Sequence, residues 1–124
     1  MRELPRDPER LKHIILAIDN ATAFTVGKSA EDLQKDRLLF FATVKNVEII
    51  GEASYMISLE FKAKHPKTPW KRIIGLRHVF VHEYYQILPD ELMNVIQNDL
   101  PPLREQVVGY LKEFEATTGQ PAGR

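Results

Sequence analysis

DRLLFFATVKNVEIIGEASYMISLEFKAK, residues 36–64, decides how this chain folds. Leu39, Val47, Ile50, Ser54, Ile57 and Phe61 recur at helical spacing and fall on one side of a 3.6-residue repeat. Leu38, Phe40, Phe41 and Val44 widen that apolar surface. The spacing predicts one helix from about Asp36 to Lys64, roughly 40 Å long if straight. Gly51 sits in its middle, where glycine costs about 1 kcal/mol relative to alanine. A glycine kept there implies close approach of a second helix.

Working outward, the same periodicity continues on both sides. Upstream, Asp7-Pro8 predicts a helix start, with Asp7 as cap and Pro8 in the first turn. Leu11, Ile14, Ile15 and Ile18 form its stripe, Gly27 and Ser29 mark its end, and Ser29–Asp32 is read as a connection. Downstream, His65-Pro-Lys-Thr-Pro69 is a break, with Thr68 as cap and Pro69 opening a helix that faces the core through Trp70, Ile73 and Ile74. After Leu88-Pro-Asp90 come a short helix over 91–97 and a last helix opened by Pro101-Pro102, with Leu103, Val107, Tyr110, Leu111 and Phe114 as its stripe. Short links favour antiparallel neighbours, so the expected fold is an all-α, up-and-down four-helix bundle with one additional short helix. At 124 residues it is expected to be a single domain, with a core over about 8–115 and a flexible tail over 117–124.

Composition narrows the chemistry. The chain has no cysteine, which excludes disulfides, thiolate metal sites and a cysteine nucleophile. The longest apolar runs are short, such as Leu38–Val44 interrupted by Thr43, far from the roughly 20 residues a membrane helix needs. The charged, proline-broken start does not read as a signal peptide, so a cytoplasmic protein is expected. Net charge is +0, but unevenly spread: residues 61–82 contain no acid and carry Lys62, Lys64, Lys67, Lys71, Arg72 and Arg77. Such a segment is either a solvated charged face or a local site for a polyanion.

Arg77-His-Val-Phe-Val-His-Glu-Tyr-Tyr85 is a concentrated polar cluster on an otherwise apolar helix. Arginine binds phosphate through a planar, permanently charged fork, and histidine titrates near neutrality. The pair suits phosphodiester chemistry without a metal; the alternative is a surface histidine beside a salt-bridged arginine. Arg77 and His82, five residues apart, lie about 140° apart on an ideal helix, whereas Arg77 and Tyr84 share a face. A bent arginine, a distorted helix or a second protomer would each reconcile the first pair. His78 and His82 have the spacing of a metal chelate, but no third ligand stands at an obvious spacing, and no metal or cofactor is assigned. Glu52, one turn from Glu48 and next to Gly51, is placed to project a carboxylate into a cleft.

Arg77-x4-His82-x-Tyr84 resembles the Arg-x4-His-x-Tyr motif of HepT-like proteins in the HEPN superfamily. Ile49-Ile-Gly-Glu-Ala53 resembles that family's Ile-Gly-Glu-Ala segment, Pro69-Trp-Lys-Arg-Ile-Ile-Gly-Leu-Arg77 its lead-in to the motif, and Asn98-Asp-Leu-Pro101 the opening of its last helix. The resemblance covers most of residues 8–115 in matching order. It implies a homodimeric bundle with the motif at the dimer interface, and a toxin of a toxin–antitoxin pair that cleaves RNA without a metal. Arg77 and His82 are then the catalytic residues. The partner implied is an MntA-like nucleotidyltransferase that transfers AMP to Tyr84 and silences the nuclease. Glu52, Lys71, Arg72 and His78 become accessory, RNA-binding positions; at 78 the family often carries a small polar residue such as asparagine. The alternative within the family is a non-catalytic dimer that binds nucleotide or assists a nucleotidyltransferase.

Overall fold

The computed structural model describes residues 6–82 and 88–118, and side chains over 6–78 and 88–116. Every element among the described residues is helical: α1 (Asp7–Thr25), α2 (Ala30–Lys35), α3 (Arg37–Met56), α4 (Leu59–Lys64), α5 (Trp70–His82), α6 (Pro89–Asn94) and α7 (Leu100–Thr118), with a π-helical turn over Val95–Asp99. Four of these, α1, α3, α5 and α7, form the bundle. Cross-links show the directions. Asp7 meets Ser58 at one end of the α1–α3 pair and Asn20 donates to Asn46 (3.2 Å) towards the other, so the two run antiparallel. Arg72 at the start of α5 reaches Asp99 before α7, while the preceding loop reaches Gln106 and Tyr110, again antiparallel. The up-and-down, all-α reading holds.

The core is aliphatic. Leu11, Ile14 and Ile18 of α1, Val47 and Ile50 of α3, Ile73 of α5, and Leu103 and Val107 of α7 are fully buried. Burial of each such side chain contributes about 1.5–3 kcal/mol, which outweighs the weak intrinsic propensity of so many β-branched residues for helix. No helix among the described residues is long and apolar enough to cross a membrane.

The expected long helix over 36–64 is two helices. Ile57 and Ser58 adopt extended backbone, and α4 restarts at Leu59. The cause is Asp7: its carboxylate accepts from the Ser58 N–H (2.9 Å) and hydroxyl (2.7 Å), while the Ser58 oxygen caps α4 by accepting from Phe61 N–H (3.1 Å). Asp7 therefore does not cap α1. That position is Arg6, which makes no side-chain cap bond, and Asp7 lies in the first turn.

Three further expectations are corrected. Ser29–Asp32 is a reciprocal capping box, with Ser29 N–H on the Asp32 carboxylate (2.8 Å) and Asp32 N–H on the Ser29 hydroxyl (3.1 Å); it opens α2, which buries Leu33. Thr68 does not cap α5. Its hydroxyl donates to Gln106 (2.6 Å) and accepts from the Tyr110 phenol. The expected short helix and last helix are present as α6 and α7, but no break separates them: the π turn joins them into one helical run over residues 89–118, with Pro101 and Pro102 inside it. A proline in an α-helix loses a hydrogen bond and clashes with the carbonyl four residues back. The wider π turn just before relieves this, and Leu100 N–H bonds to Val95 O instead. Within the expected tail, Thr117 and Thr118 belong to α7, and residues 119–124 lie outside the described residues.

Candidate active site

The polar site is built where α3 crosses α5, and Gly51 is the reason they cross so closely. A Cβ at Gly51 would stand 2.6 Å from the backbone nitrogen of Arg77 and 3.0 Å from its Cβ. The mid-helix glycine thus marks a close helix approach, as its position implied, and the residue it admits is the motif arginine. The approach lays the Arg77 side chain along the outside of α3.

Two residues of α3 hold the guanidinium. Glu52 Oε1 lies 3.3 Å from Arg77 Nη1. The Tyr55 ring stacks beneath the group, its centroid 3.7 Å from Arg77 Cζ. Glycine, carboxylate and ring occupy positions 51, 52 and 55, neighbours on one side of the helix. The Arg77 side chain is 21% exposed, and its buried Nε has no hydrogen-bond partner among the described residues. A buried donor left unpaired is costly.

A second cation stands nearby. Lys62, on α4, donates to the carbonyls of Ser54 and Tyr55, both at 3.3 Å, at the end of α3, where the Ser54 carbonyl also accepts from the Ile57 N–H (3.3 Å). Its ammonium is 6.0 Å from the Tyr55 ring centroid. Burial lowers its pKa from the usual lysine value; the Asp7 charge opposes that shift and the Arg77 charge adds to it. On α3, burial raises the Glu48 pKa, the Lys45 charge opposes this and the Glu52 charge adds to it. The sequence did not single out Tyr55. Its signal was helical position, three residues after Glu52 and four after Gly51, but a tyrosine on an apolar helix reads equally as core.

The other expected site residues divide. Arg72 pairs with Asp99 (2.9 Å), against the π turn and not against Arg77. Lys71 and His78 are exposed and, seven residues apart, share a face of α5. His82 is the last residue of α5, with a side chain outside the described residues, and Tyr84 lies wholly outside them. His65, in the break before α5, is structural: it stacks on Phe61 (centroids 4.1 Å), its Nδ1–H donates to the Phe61 carbonyl (2.9 Å), and it packs against Tyr110 (4.5 Å).

Comparison with known proteins gives a consistent result. Residues 14–108 match a family described as "Ribonuclease HepT-like". A protein of Caldanaerobacter subterraneus subsp. tengcongensis named "Putative RNase" is 37% identical over 103 residues, covering 83% of this chain and 92% of its own. One of Thermococcus cleftensis named "Probable ribonuclease HepT" is 34% identical over 94 residues, 76% of this chain and 86% of its own. A "Putative RNase" of Methanocaldococcus jannaschii is 30% identical over 97 residues, 78% and 89% of the two chains. No solved structure matches the chain at a significant level.

Proposed function

The chain belongs to the HepT-like ribonuclease family of the HEPN superfamily, and from that membership we propose that it is an endoribonuclease that cleaves RNA without a metal, as the toxin of a toxin–antitoxin pair. The observation that carries the reading is the Arg77 guanidinium at the α3–α5 crossing, held on one face by the Tyr55 ring and on one edge by Glu52. An always-charged fork set in place before the substrate arrives is what a developing phosphorane needs.

In the proposed reaction the 2′-hydroxyl oxygen bonds to the adjacent phosphorus. His82 takes the 2′ proton as general base, and Arg77 stabilises the extra negative charge. The bond to the 5′-oxygen breaks, that oxygen takes up a proton, and the products are a 2′,3′-cyclic phosphate and a 5′-hydroxyl. A homodimer brings two copies of the motif into one cleft, so a second His82 is at hand to donate the leaving-group proton. Exposed Leu38 and Phe41 on α3 are apolar surface that such a partner copy would cover, and they support the dimer.

Lys71 and His78 on the exposed face of α5 serve RNA approach; Arg72 does so only by exchanging Asp99 for a phosphate. Glu52 holds Arg77 in the resting site. An MntA-like nucleotidyltransferase silences the enzyme by transferring AMP to Tyr84, placing charge and bulk where RNA phosphate must sit. Incubation with that partner, ATP and magnesium should add the mass of AMP, mapped to Tyr84 and lost in Tyr84→Phe but not in Tyr85→Phe.

The test is cleavage of an end-labelled RNA in excess EDTA. Wild type should yield cyclic-phosphate ends, and Arg77→Ala and His82→Ala should each lose about 100- to 10,000-fold with helicity unchanged. Cleavage that stops in EDTA and returns with zinc would favour a His78/His82 chelate. Full activity without Arg77 or His82 would overturn the reading.

A further inference from the structure

We infer that Tyr55 is the positioning residue for Arg77: stacked beneath the guanidinium, its ring holds the arginine in the plane from which it meets the RNA phosphate, in the substrate-bound state as well as the resting one. The inference rests on the ribonuclease reading and adds to it a residue outside the Arg77-x4-His82-x-Tyr84 motif.

The geometry is specific. At 3.7 Å, the Arg77–Tyr55 contact is closer than the other cation–ring contacts among the described residues, which lie at 4.8, 5.3 and 6.0 Å. Tyr55 is 50% exposed, so its ring is not there to fill the core. Its backbone is fixed where α3 ends, by Lys62 bonding the carbonyls of residues 54 and 55. Gly51 fixes the other half of the pair by bringing the Arg77 backbone against the same helix.

Among the described residues, Glu52 and Tyr55 are what hold the guanidinium, and they hold it differently. Glu52 takes an in-plane N–H, the kind of donor a phosphate requires, so substrate must displace it. Its carboxylate is 60% exposed, and such pairs are weak. The ring takes the face. The attraction between a cation and the ring's quadrupole uses none of the in-plane N–H donors. Only the ring can therefore keep hold while the arginine turns from Glu52 to a phosphate. Fixing a long, flexible side chain before the reaction lowers the transition-state barrier rather than strengthening ground-state binding.

The experiment is steady-state RNA cleavage by the full chain with Tyr55→Leu and Tyr55→Phe, together with the Arg77 Nε–Hε NMR resonance of each protein. Tyr55→Leu should lower kcat about tenfold with KM within about twofold. Tyr55→Phe keeps the ring and should restore kcat to within about twofold of wild type. The Arg77 Hε should be shifted upfield by the ring current in wild type and Tyr55→Phe, and lose that shift in Tyr55→Leu. Unchanged kcat in Tyr55→Leu, a rise in KM alone (the ring then contacts RNA directly), equal loss in both variants, or an Arg77 resonance indifferent to the ring would each overturn the assignment. If wild type does not cleave RNA but the resonance follows the ring, the ribonuclease reading fails and the positioning contact stands.

Discussion

Trp70 and Arg77 lie seven residues apart on α5, two turns along the same side of one helix, and they are held in opposite ways. Trp70 is 8% exposed; its indole N–H donates to the His65 carbonyl (2.9 Å), and its ring packs among Phe61 and Tyr110. Nearly everything polar around it is paired, including the Thr68 hydroxyl, which bridges to Gln106 and Tyr110 on α7. Arg77 is held through one ring face and one exposed carboxylate, and its Nε–H has no partner among the described residues. The difference shows how a short helix serves two purposes. Aromatic packing pins its start, so its far part can carry charge and unpaired donors that would not stabilise a fold by themselves.

The sharpest way to break that contrast is Trp70→Ala. It should lower unfolding free energy by about 3–5 kcal/mol, read by urea denaturation, because a buried aromatic leaves a cavity its neighbours cannot fill. A loss below about 1 kcal/mol would mean that α5 is not anchored there. Gly51→Ala probes the other region. Helix propensity favours alanine by about 1 kcal/mol, but the new Cβ meets backbone at 2.6 Å, which cannot swing aside as a side chain would. We expect the clash to win, with a net loss of about 2 kcal/mol and weaker RNA cleavage from the displaced Arg77. A more stable, fully active Gly51→Ala would show that the crossing is loose.

Thr68→Val removes the hydroxyl between α5 and α7 and leaves Tyr110 and Gln106 short of a partner; about 1 kcal/mol should be lost in denaturant titration, with cleavage unchanged. The smallest effect is on the acid limb. The Arg104 hydrogen bond holds the Asp19 carboxyl below the usual aspartate value. A lowered folded pKa contributes stability that is present above the unfolded value of about 3.9 and lost as pH falls through the folded one. The pair is about half exposed, so the contribution is at most about 0.5 kcal/mol. Asp19→Asn should lower stability at neutral pH by up to that amount and converge with wild type as pH falls below about 4, which flattens the acid limb.

What the sequence made legible was local. The stripe of α1, the break at His65–Pro69 and the meaning of Gly51 follow from spacing and from residues that punctuate a chain. The break at Ser58 was not legible, because its cause, Asp7, is 51 residues away and the apolar register runs through Ser54, Ile57 and Phe61 without a slip. Thr68 has the chemistry of a cap, and only the partners on α7 show where its hydroxyl goes. Leu38, counted with the apolar surface of the long helix, is 83% exposed. At the site, Arg77 and Glu52 were legible as charges among apolar neighbours. Tyr55 was not, since its partner comes from another helix.

The central claim is that the chemistry resides at the Arg77 part of α5 while the stability resides at Trp70. The most direct measurement is cleavage of one labelled RNA in excess EDTA by wild type, Arg77→Ala and Trp70→Phe, at a temperature where circular dichroism shows all three folded. Arg77→Ala should melt with wild type and lose cleavage by at least about 100-fold, whereas Trp70→Phe should melt earlier and cleave within about threefold of wild type. Arg77→Ala cleaving at the wild-type rate would contradict the account.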